Sequence, residues 1–118
     1  MYSSTFIFAK KDYDDRFHAL DQRIADMAKA IPGYLGENAW ENPTTGLIST
    51  VYYWDSLEAL QQLMNDPTHR EAKQEQGKWL AGYEIVIAKI LHSHGDDGLG
   101  ELATLPPALR GYRAGNAA

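Results

Sequence analysis

The chain contains no cysteine, which excludes disulfide bonds, thiolate catalysis and zinc–thiolate sites. It has no apolar run of the roughly 18 residues that a membrane-spanning helix requires. Lys and Arg are scattered, and the formal net charge of −5 disfavours nucleic acids and anionic membrane surfaces as partners. Because the segment from Met1 to Ser4 lacks the basic-then-apolar pattern of a signal peptide, we expect a protein of the reducing cytoplasm.

Recognisable catalytic and nucleotide-binding motifs are also missing. The sequence has neither a phosphate-binding loop nor a dinucleotide fingerprint, and no Ser-His-Asp or Cys-His spacing stands out. What is present suits one domain of 118 residues, in which 44% hydrophobic residues provide a core. A domain of this size buries a modest share of its surface, so a second subunit over an apolar face would stabilise it.

The first half of the chain predicts a strand, a helix and a hairpin. A strand is expected over 3–10, followed by a helix that Asp12 caps and that Ile31-Pro32-Gly33 ends. Strands over 34–41 and 47–54, with a short turn between them, are typical of an antiparallel hairpin.

The second half predicts a broken helix and a last strand. Asp55-Ser56-Leu57-Glu58 is a helix start in the style of a capping box, and Asp66-Pro67 interrupts that helix and starts a second segment that runs to about Leu80. Ala81-Gly82 is expected to end that segment before a strand over 83–92. The order β-α-β-β-α-β predicts an α+β, ferredoxin-like fold with an antiparallel sheet. We assign 1–95 to this domain and 96–118 to a carboxy-terminal arm or tail that packs on a partner subunit.

The strands carry apolar side chains on both faces. In the third strand Tyr52 and Trp54 point one way, whereas Val51 and Tyr53 point the other. Two helices cover only one face of a sheet, so the other face would be an exposed apolar patch. We therefore expect a homodimer, with the arm folded back over the same face as the alternative.

Several segments, in this order and spacing, resemble the antibiotic biosynthesis monooxygenase domain family over about 3–95. The segments that carry the resemblance are Ile31-Pro32-Gly33-Tyr34, Trp54-Asp55-Ser56-Leu57-Glu58-Ala59-Leu60, Asp66-Pro67-Thr68-His69-Arg70-Glu71-Ala72, Trp79 and Tyr83. The resemblance implies a dimeric α+β barrel, in which two ferredoxin-like sheets pack face to face.

The resemblance also implies a range of functions. Some members oxidise aromatic phenols or quinols with dioxygen and no cofactor, and others bind and degrade haem. In the haem-degrading branch, the resemblance implies a catalytic tryptophan at the position of Leu63 and an iron-ligating histidine at that of Lys73. It also implies an asparagine near Phe8 and Ala9, and none of these three residue types is present at these positions. The favoured interpretation is a cofactor-independent monooxygenase acting on a small aromatic phenol or quinol. The alternatives are a non-catalytic small-molecule-binding module and a haem-binding protein with His69 as the ligand.

His69 is the strongest candidate for a catalytic side chain. It lies in the first turn of the second helical segment, on the same face as Ala72, Gln76 and Trp79, and we expect that face to meet the sheet. A half-buried imidazole there suits a general base acting on a phenol. The helix amino terminus is expected to lower the pKa of His69. The alternative is a structural hydrogen bond near the helix start.

Aromatic residues and one amide make up the predicted substrate-binding site. Tyr and Trp offer flat apolar walls with one polar tip, which suits a planar aromatic ligand. Core packing is the alternative for each aromatic residue, and a dimer contact is the alternative for the Asn38 and Trp40 pair. The predicted residues are Asn38, Trp40, Tyr52, Trp54, Trp79 and Tyr83.

His92 and His94 share a face of the predicted last strand, and Asp96 and Asp97 follow. Two histidines at a strand end are a weak metal signal, and we interpret this group as solvated polar residues. The sequence therefore predicts no metal site.

Overall fold

Strands and helices follow one another in the predicted order in the computed structural model, which describes residues 1–115. Three single turns of 3-10 helix, Gln76–Lys78, Gly100–Leu102 and Pro107–Leu109, accompany them. None of the helices in the described range is both long and apolar enough to span a bilayer. The regular elements are β1 Tyr2–Lys10, α1 Asp15–Ala30, β2 Tyr34–Glu41, β3 Ile48–Trp54, α2 Leu57–Met64, α3 Pro67–Glu75 and β4 Leu80–Lys89.

The four strands form one antiparallel sheet in the order β2-β3-β1-β4. β1 lies inside the sheet because it pairs with both β3 and β4, and β2 and β4 are the edges. This connectivity confirms the predicted α+β, ferredoxin-like fold.

Side-chain caps fix where the helices begin. The Asp14 carboxylate accepts a hydrogen bond of 2.8 Å from the Phe17 amide and caps α1, so the prediction of Asp12 as the cap was wrong by two residues. Asp66 caps α3 as predicted, and Ser56, which lies within the helix start predicted at 55–58, caps α2. Each cap satisfies a backbone donor that lacks a partner inside its helix.

The core lies between the helices and one face of the sheet. Its buried residues are Ala28, Ile31, Trp54, Ala59, Leu60 and Leu63. Trp54 is completely buried, and its indole nitrogen donates a hydrogen bond of 3.1 Å to Ser4 Oγ on the neighbouring strand β1. The core therefore places the helix layer over the central strands.

The start of β4 corrects the sequence prediction. Ala81 and Gly82 were expected to end a helix, but both lie within the strand, and Gly82 is paired with Ala9. Pairing with β1 outweighs the local signal of a small residue before glycine. Because β4 ends at Lys89, His92 and His94 lie beyond it and do not share a strand face as predicted.

A bulge in β2 reverses the direction of its side chains. Tyr34 pairs with Trp54, and Gly36 pairs with Tyr53, the neighbour of Trp54 on β3. β2 therefore has one extra residue, at position 35, that faces no partner on β3. Gly36 has a φ of +156°. Tyr34 and Glu37 consequently lie on the helix-covered face.

The described part of the arm folds onto its own chain. The side-chain amide of Asn38 donates to the Thr104 carbonyl, and a Cβ at Gly36 would meet Pro106 Cγ at 3.0 Å. Leu109 is fully buried, and the Ser93 amide donates to the Tyr112 carbonyl at 2.8 Å. The arm therefore covers one end of the sheet face that the helices leave open.

Candidate functional site

A cavity of about 230 Å³ lies between the helix layer and the sheet. Strands supply its floor, and all three α-helices supply walls. Asp21 and Lys73 are largely exposed to solvent, which places them at its mouth. The lining side chains are Ser4, Thr5, Phe6, Phe8, Phe17, Leu20, Asp21, Ile24, Thr50, Tyr52, Leu60, Leu63, Met64, His69, Ala72, Lys73, Gln76, Trp79, Leu80, Ile85 and Ile87.

Most of this lining is apolar. Phe6 and Phe8 stack in the floor with ring centroids 5.1 Å apart, and aliphatic residues of α1 and α2 face them. A largely apolar cavity with a few polar groups is the usual environment of a small-molecule ligand, which the apolar walls desolvate.

His69 is half-buried in the cavity wall, together with Ala72 of the same helix and Gln76 directly after it. These residues border the cavity that lies above the sheet, while α3 itself packs mainly against α1. The Nδ1 atom of His69 is buried and has no hydrogen-bond partner among residues 1–115. A buried ring nitrogen without a protein partner is available to a ligand.

The pKa of His69 is lowered, first by burial and then by the positive charge of Lys73, against opposing effects of Asp66 and the Met64 backbone. The direction agrees with the sequence prediction, but its leading cause is desolvation and not the helix amino terminus. A neutral imidazole at neutral pH has a lone pair that can accept a proton from a ligand hydroxyl.

Polar contacts between helices hold α3 in place. Arg16 of α1 bonds Glu71 and Glu75 of α3, each at 2.5 Å. Arg23, seven residues further along α1, donates a hydrogen bond to Thr68 Oγ1 at 3.3 Å. The residue directly before His69 is thus tied to α1, which limits the movement of the imidazole.

Trp79 closes the end of the cavity near the start of α1. It is buried, and its ring meets Phe17 edge-on at 5.4 Å. Phe17 in turn stacks on Tyr13 at 3.8 Å. These rings form an aromatic wall that a planar ligand can pack against.

Three of the residues proposed from the sequence come together in the cavity, namely His69, Tyr52 and Trp79. Trp54 lies in the core behind Tyr52, with ring centroids 6.1 Å apart. Tyr83 lies at the open edge, against Phe6, and is 43% exposed.

Asn38 and Trp40 lie on the opposite face of the sheet, away from the cavity. Their strand partners are Val51 and Ser49, whereas the cavity-lining Tyr52 pairs with Glu37. Asn38 bonds the arm, and Trp40 borders a shallow surface depression. The structure thus separates this pair from His69.

Sequence reasoning did not propose several cavity residues. Asp21 of α1 follows the buried Leu20, and both Lys73 and Gln76 lie at helical steps from His69. Helical periodicity could have indicated these three residues, because each lies on, or next to, the apolar face of its predicted helix. Glu37 was missed because the bulge that directs it towards the helices is not visible in a simple alternation.

Metal and haem sites can be tested on this geometry. Within residues 1–115 no group of three or more His, Cys, Asp or Glu side chains gathers in a way that could hold a metal ion. The cavity of about 230 Å³ is below the roughly 300–1,000 Å³ of pockets that enclose drug-sized ligands, so a haem would project from it. We therefore derive no step through haem.

Comparison with known proteins agrees with the fold. No protein-family model matches the chain. The Bacillus subtilis protein YqjZ, which is uncharacterized, is 32% identical over 92 residues, covering 75% of this chain and 78% of YqjZ.

Two solved structures show the same architecture at lower identity. A cofactor-independent oxygenase, SnoaB from Streptomyces nogalater, has a TM-score of 0.63 at 11% identity, covering 78% of this chain and 94% of SnoaB. A putative antibiotic biosynthesis monooxygenase from Chloroflexus aurantiacus has a TM-score of 0.55 at 20% identity, covering 80% of this chain and 96% of that protein. At these identities the similarity shows a shared fold. The chain therefore belongs to the same family as YqjZ, within the antibiotic biosynthesis monooxygenase fold family.

Proposed function

We propose that the protein is a cofactor-independent monooxygenase that oxidises a small aromatic phenol or quinol with dioxygen. The observation that carries the proposal is the buried, unpartnered Nδ1 atom of His69 in the wall of an apolar, aromatic-lined cavity. SnoaB, a cofactor-independent oxygenase of the same fold, is the relevant precedent.

The proposed reaction begins with proton transfer. His69 takes the hydroxyl proton of the phenol, and the apolar cavity leaves the resulting phenolate poorly solvated and electron-rich at the ring carbon. That carbon transfers one electron to dioxygen, and the two radicals combine to form a carbon–oxygen bond. The peroxide takes a proton from the His69 imidazolium. His69, neutral again, takes the proton from the oxygen-bearing ring carbon, and the C–H electrons form the carbonyl while the O–O bond breaks. The hydroxide that leaves takes this proton from His69 and becomes water. The products are a quinone and one water, so the phenol is oxidised and dioxygen reduced.

The size of the cavity limits the substrate. Because about 230 Å³ is less than drug-sized pockets provide, we propose a substrate with one or two fused rings. Trp79 and Phe17 would pack against the ring plane, and Tyr52 would contact a second position on the ring.

Oxygen uptake with a panel of small hydroquinones and naphthols tests the proposal. We expect uptake above spontaneous oxidation, and we expect His69→Ala to lower it by about 10²–10⁴-fold, the usual contribution of a general base. His18→Gln is the matched control, because His18 is exposed and does not line the cavity. Equal uptake by the wild type and His69→Ala would contradict the proposal. Binding without any uptake would instead favour a non-catalytic binding module.

We also propose that the protein acts as a homodimer, through the sheet face that the helices leave open. On that face Trp40 is 53% exposed and Val86 is 50% exposed. Apolar side chains on an uncovered face favour association, and a self-complementary face generates a closed dimer.

A further inference from the structure

Glu37 and Tyr52 are direct neighbours across β2 and β3. The bulge at Gly36 places Glu37 on the helix-covered face, the same face from which Tyr52 lines the cavity. Cross-strand neighbours on one face have Cβ atoms about 4.5–5.5 Å apart, so their side chains interact directly. Glu37 does not line the cavity itself.

The Glu37 carboxylate gathers hydroxyl donors. Tyr34 donates to Glu37 Oε1 at 3.2 Å. Tyr52 lies directly across the strands from Glu37, and its ring centroid is 6.3 Å from that of Tyr34. Lys29 Nζ lies 4.0 Å from it, while the Glu37 side chain remains 30% exposed. A carboxylate only accepts hydrogen bonds, so the Tyr34 proton is directed towards Glu37, and the second carboxylate oxygen can accept from another neighbouring hydroxyl.

Both tyrosines have a raised pKa, and Glu37 contributes to each increase. Burial raises the pKa of Tyr34 to about 12, and Glu37 adds to the effect. Burial also raises the pKa of Tyr52, with further increases from Glu37, Asp21 and Tyr34. Tyr52 therefore stays protonated at neutral pH and does not act as the base, which leaves that role to His69.

A tyrosine hydroxyl that donates to a carboxylate still has acceptor lone pairs. We propose that Glu37 is a positioning residue that holds the Tyr52 proton, so that Tyr52 accepts a hydrogen bond from a donor group on the ligand. The cavity would then recognise its ligand at two points, with His69 at one hydroxyl and Tyr52 at a second donor. The proposal rests on the proposed function for the role of His69, but the contact at Tyr52 can be measured without turnover.

Anaerobic binding of two related probes tests the contact. 1,4-Dihydroxynaphthalene carries two donors, and 4-methoxy-1-naphthol has the same rings with one donor replaced by an ether. Quenching of tryptophan fluorescence reports binding, since Trp79 lies in the cavity wall. We expect the wild type to bind the dihydroxy probe roughly 3–10-fold more tightly, the equivalent of one net hydrogen bond.

Variants separate the two side chains. Tyr52→Phe should remove the preference for the dihydroxy probe. Glu37→Leu should move the preference towards the methoxy probe, because the released Tyr52 proton can then be donated to the ether oxygen. Glu41→Gln is the matched control, since Glu41 lies on the same strand, pairs with Ile48 and has no part in the cavity. It should bind both probes as the wild type does.

A titration of tyrosinate absorbance gives a readout that a purely structural role would not move. Glu37→Gln, which keeps the side-chain volume, should lower the pKa of the tyrosines that titrate highest in the wild type, and Glu41→Gln should not. An unchanged titration overturns the proposal. Equal affinity of the wild type for the two probes, or no binding of either, overturns it too. If the probes are discriminated as expected but oxygen uptake is absent, the proposed oxygenase function fails and the role of Glu37 stands.

Discussion

At the scale of single residues, the burial of His69 links the candidate site to stability. Its pKa is lowered in the folded state, whereas in the unfolded chain it has its ordinary value of about 6.5. As pH falls below about 6.5, the unfolded chain takes up a proton that the folded protein resists. The imidazole therefore destabilises the fold progressively from about pH 6.5 downwards, until the lowered pKa is passed.

We predict that this slope disappears in His69→Gln. Denaturant unfolding at several pH values between about 5 and 8 measures it, and the difference between wild type and variant isolates His69 from other titrating groups. Above pH 7 the difference between the two proteins should be constant. A wild type and a variant that lose stability in parallel between pH 6.5 and 5 would show that the folded state protonates His69 as readily as the unfolded chain does.

The residues of the cavity show what a sequence can and cannot place. The shared side of His69 and Ala72 follows from helical spacing, because steps of three and four lie on one face whatever the rest of the fold does. Trp79 lines the same cavity although the α-helix ends at Glu75 and a 3-10 turn separates the two. Strand alternation separates two faces in the same way but does not say which one the helices cover. Asn38 and Trp40 were therefore grouped correctly with each other and placed with the wrong neighbours.

At the scale of elements, the bulge in β2 decides which side chains reach the cavity. Without it, Asn38 and Trp40 would share the face of Tyr34, and the sequence-based site would have been assembled there. The only local signal is Gly36, since an isolated glycine within a strand indicates a bulge or a close backbone approach. Both apply here, because Pro106 of the arm packs against it.

We predict that Gly36→Ala destabilises the protein more than Gly46→Ala does. Both glycines have a positive φ, of 156° and 75°, but only Gly36 has a neighbour within 4 Å of the added Cβ. Overpacking against Pro106 should cost about 1–3 kcal/mol beyond the backbone effect. Chemical denaturation measures both variants. In a Pro106→Ala background, the difference in destabilisation between Gly36→Ala and Gly46→Ala should become smaller. If that difference stays the same, Pro106 of the arm does not pack against Gly36.

The elements themselves were largely predictable, and the exceptions have a physical reason. Periodicity and capping residues located α1, α2 and α3 because these signals act within one segment. The start of β4 was missed because Leu80 pairs with Lys10, a contact far away in sequence. Local turn signals at Ala81-Gly82 have no access to that pairing.

At the scale of the whole molecule, the sheet has one face covered by helices and one covered only in part. The arm occupies the end of the open face at Gly36 and Asn38. Trp40 on β2 stays half exposed, with Leu47 beside it at 39% exposure, and Val86 stays half exposed on the opposite edge strand, β4. The described part of the arm thus leaves apolar side chains of this face exposed to solvent.

This arrangement predicts a dimer that a single charge on the open face disrupts. Val86→Arg would place an unpaired guanidinium in an apolar contact, and burying such a charge costs more than the contact provides. Size-exclusion chromatography with light scattering should give a dimer mass for the wild type and a monomer mass for Val86→Arg. Leu57→Arg is the control, because Leu57 is 37% exposed on α2, in the helix layer on the other side of the sheet, and should leave the dimer intact. A monomer mass for the wild type at micromolar concentration would refute the dimer. The open face would then be covered within residues 1–115 by the described part of the arm alone.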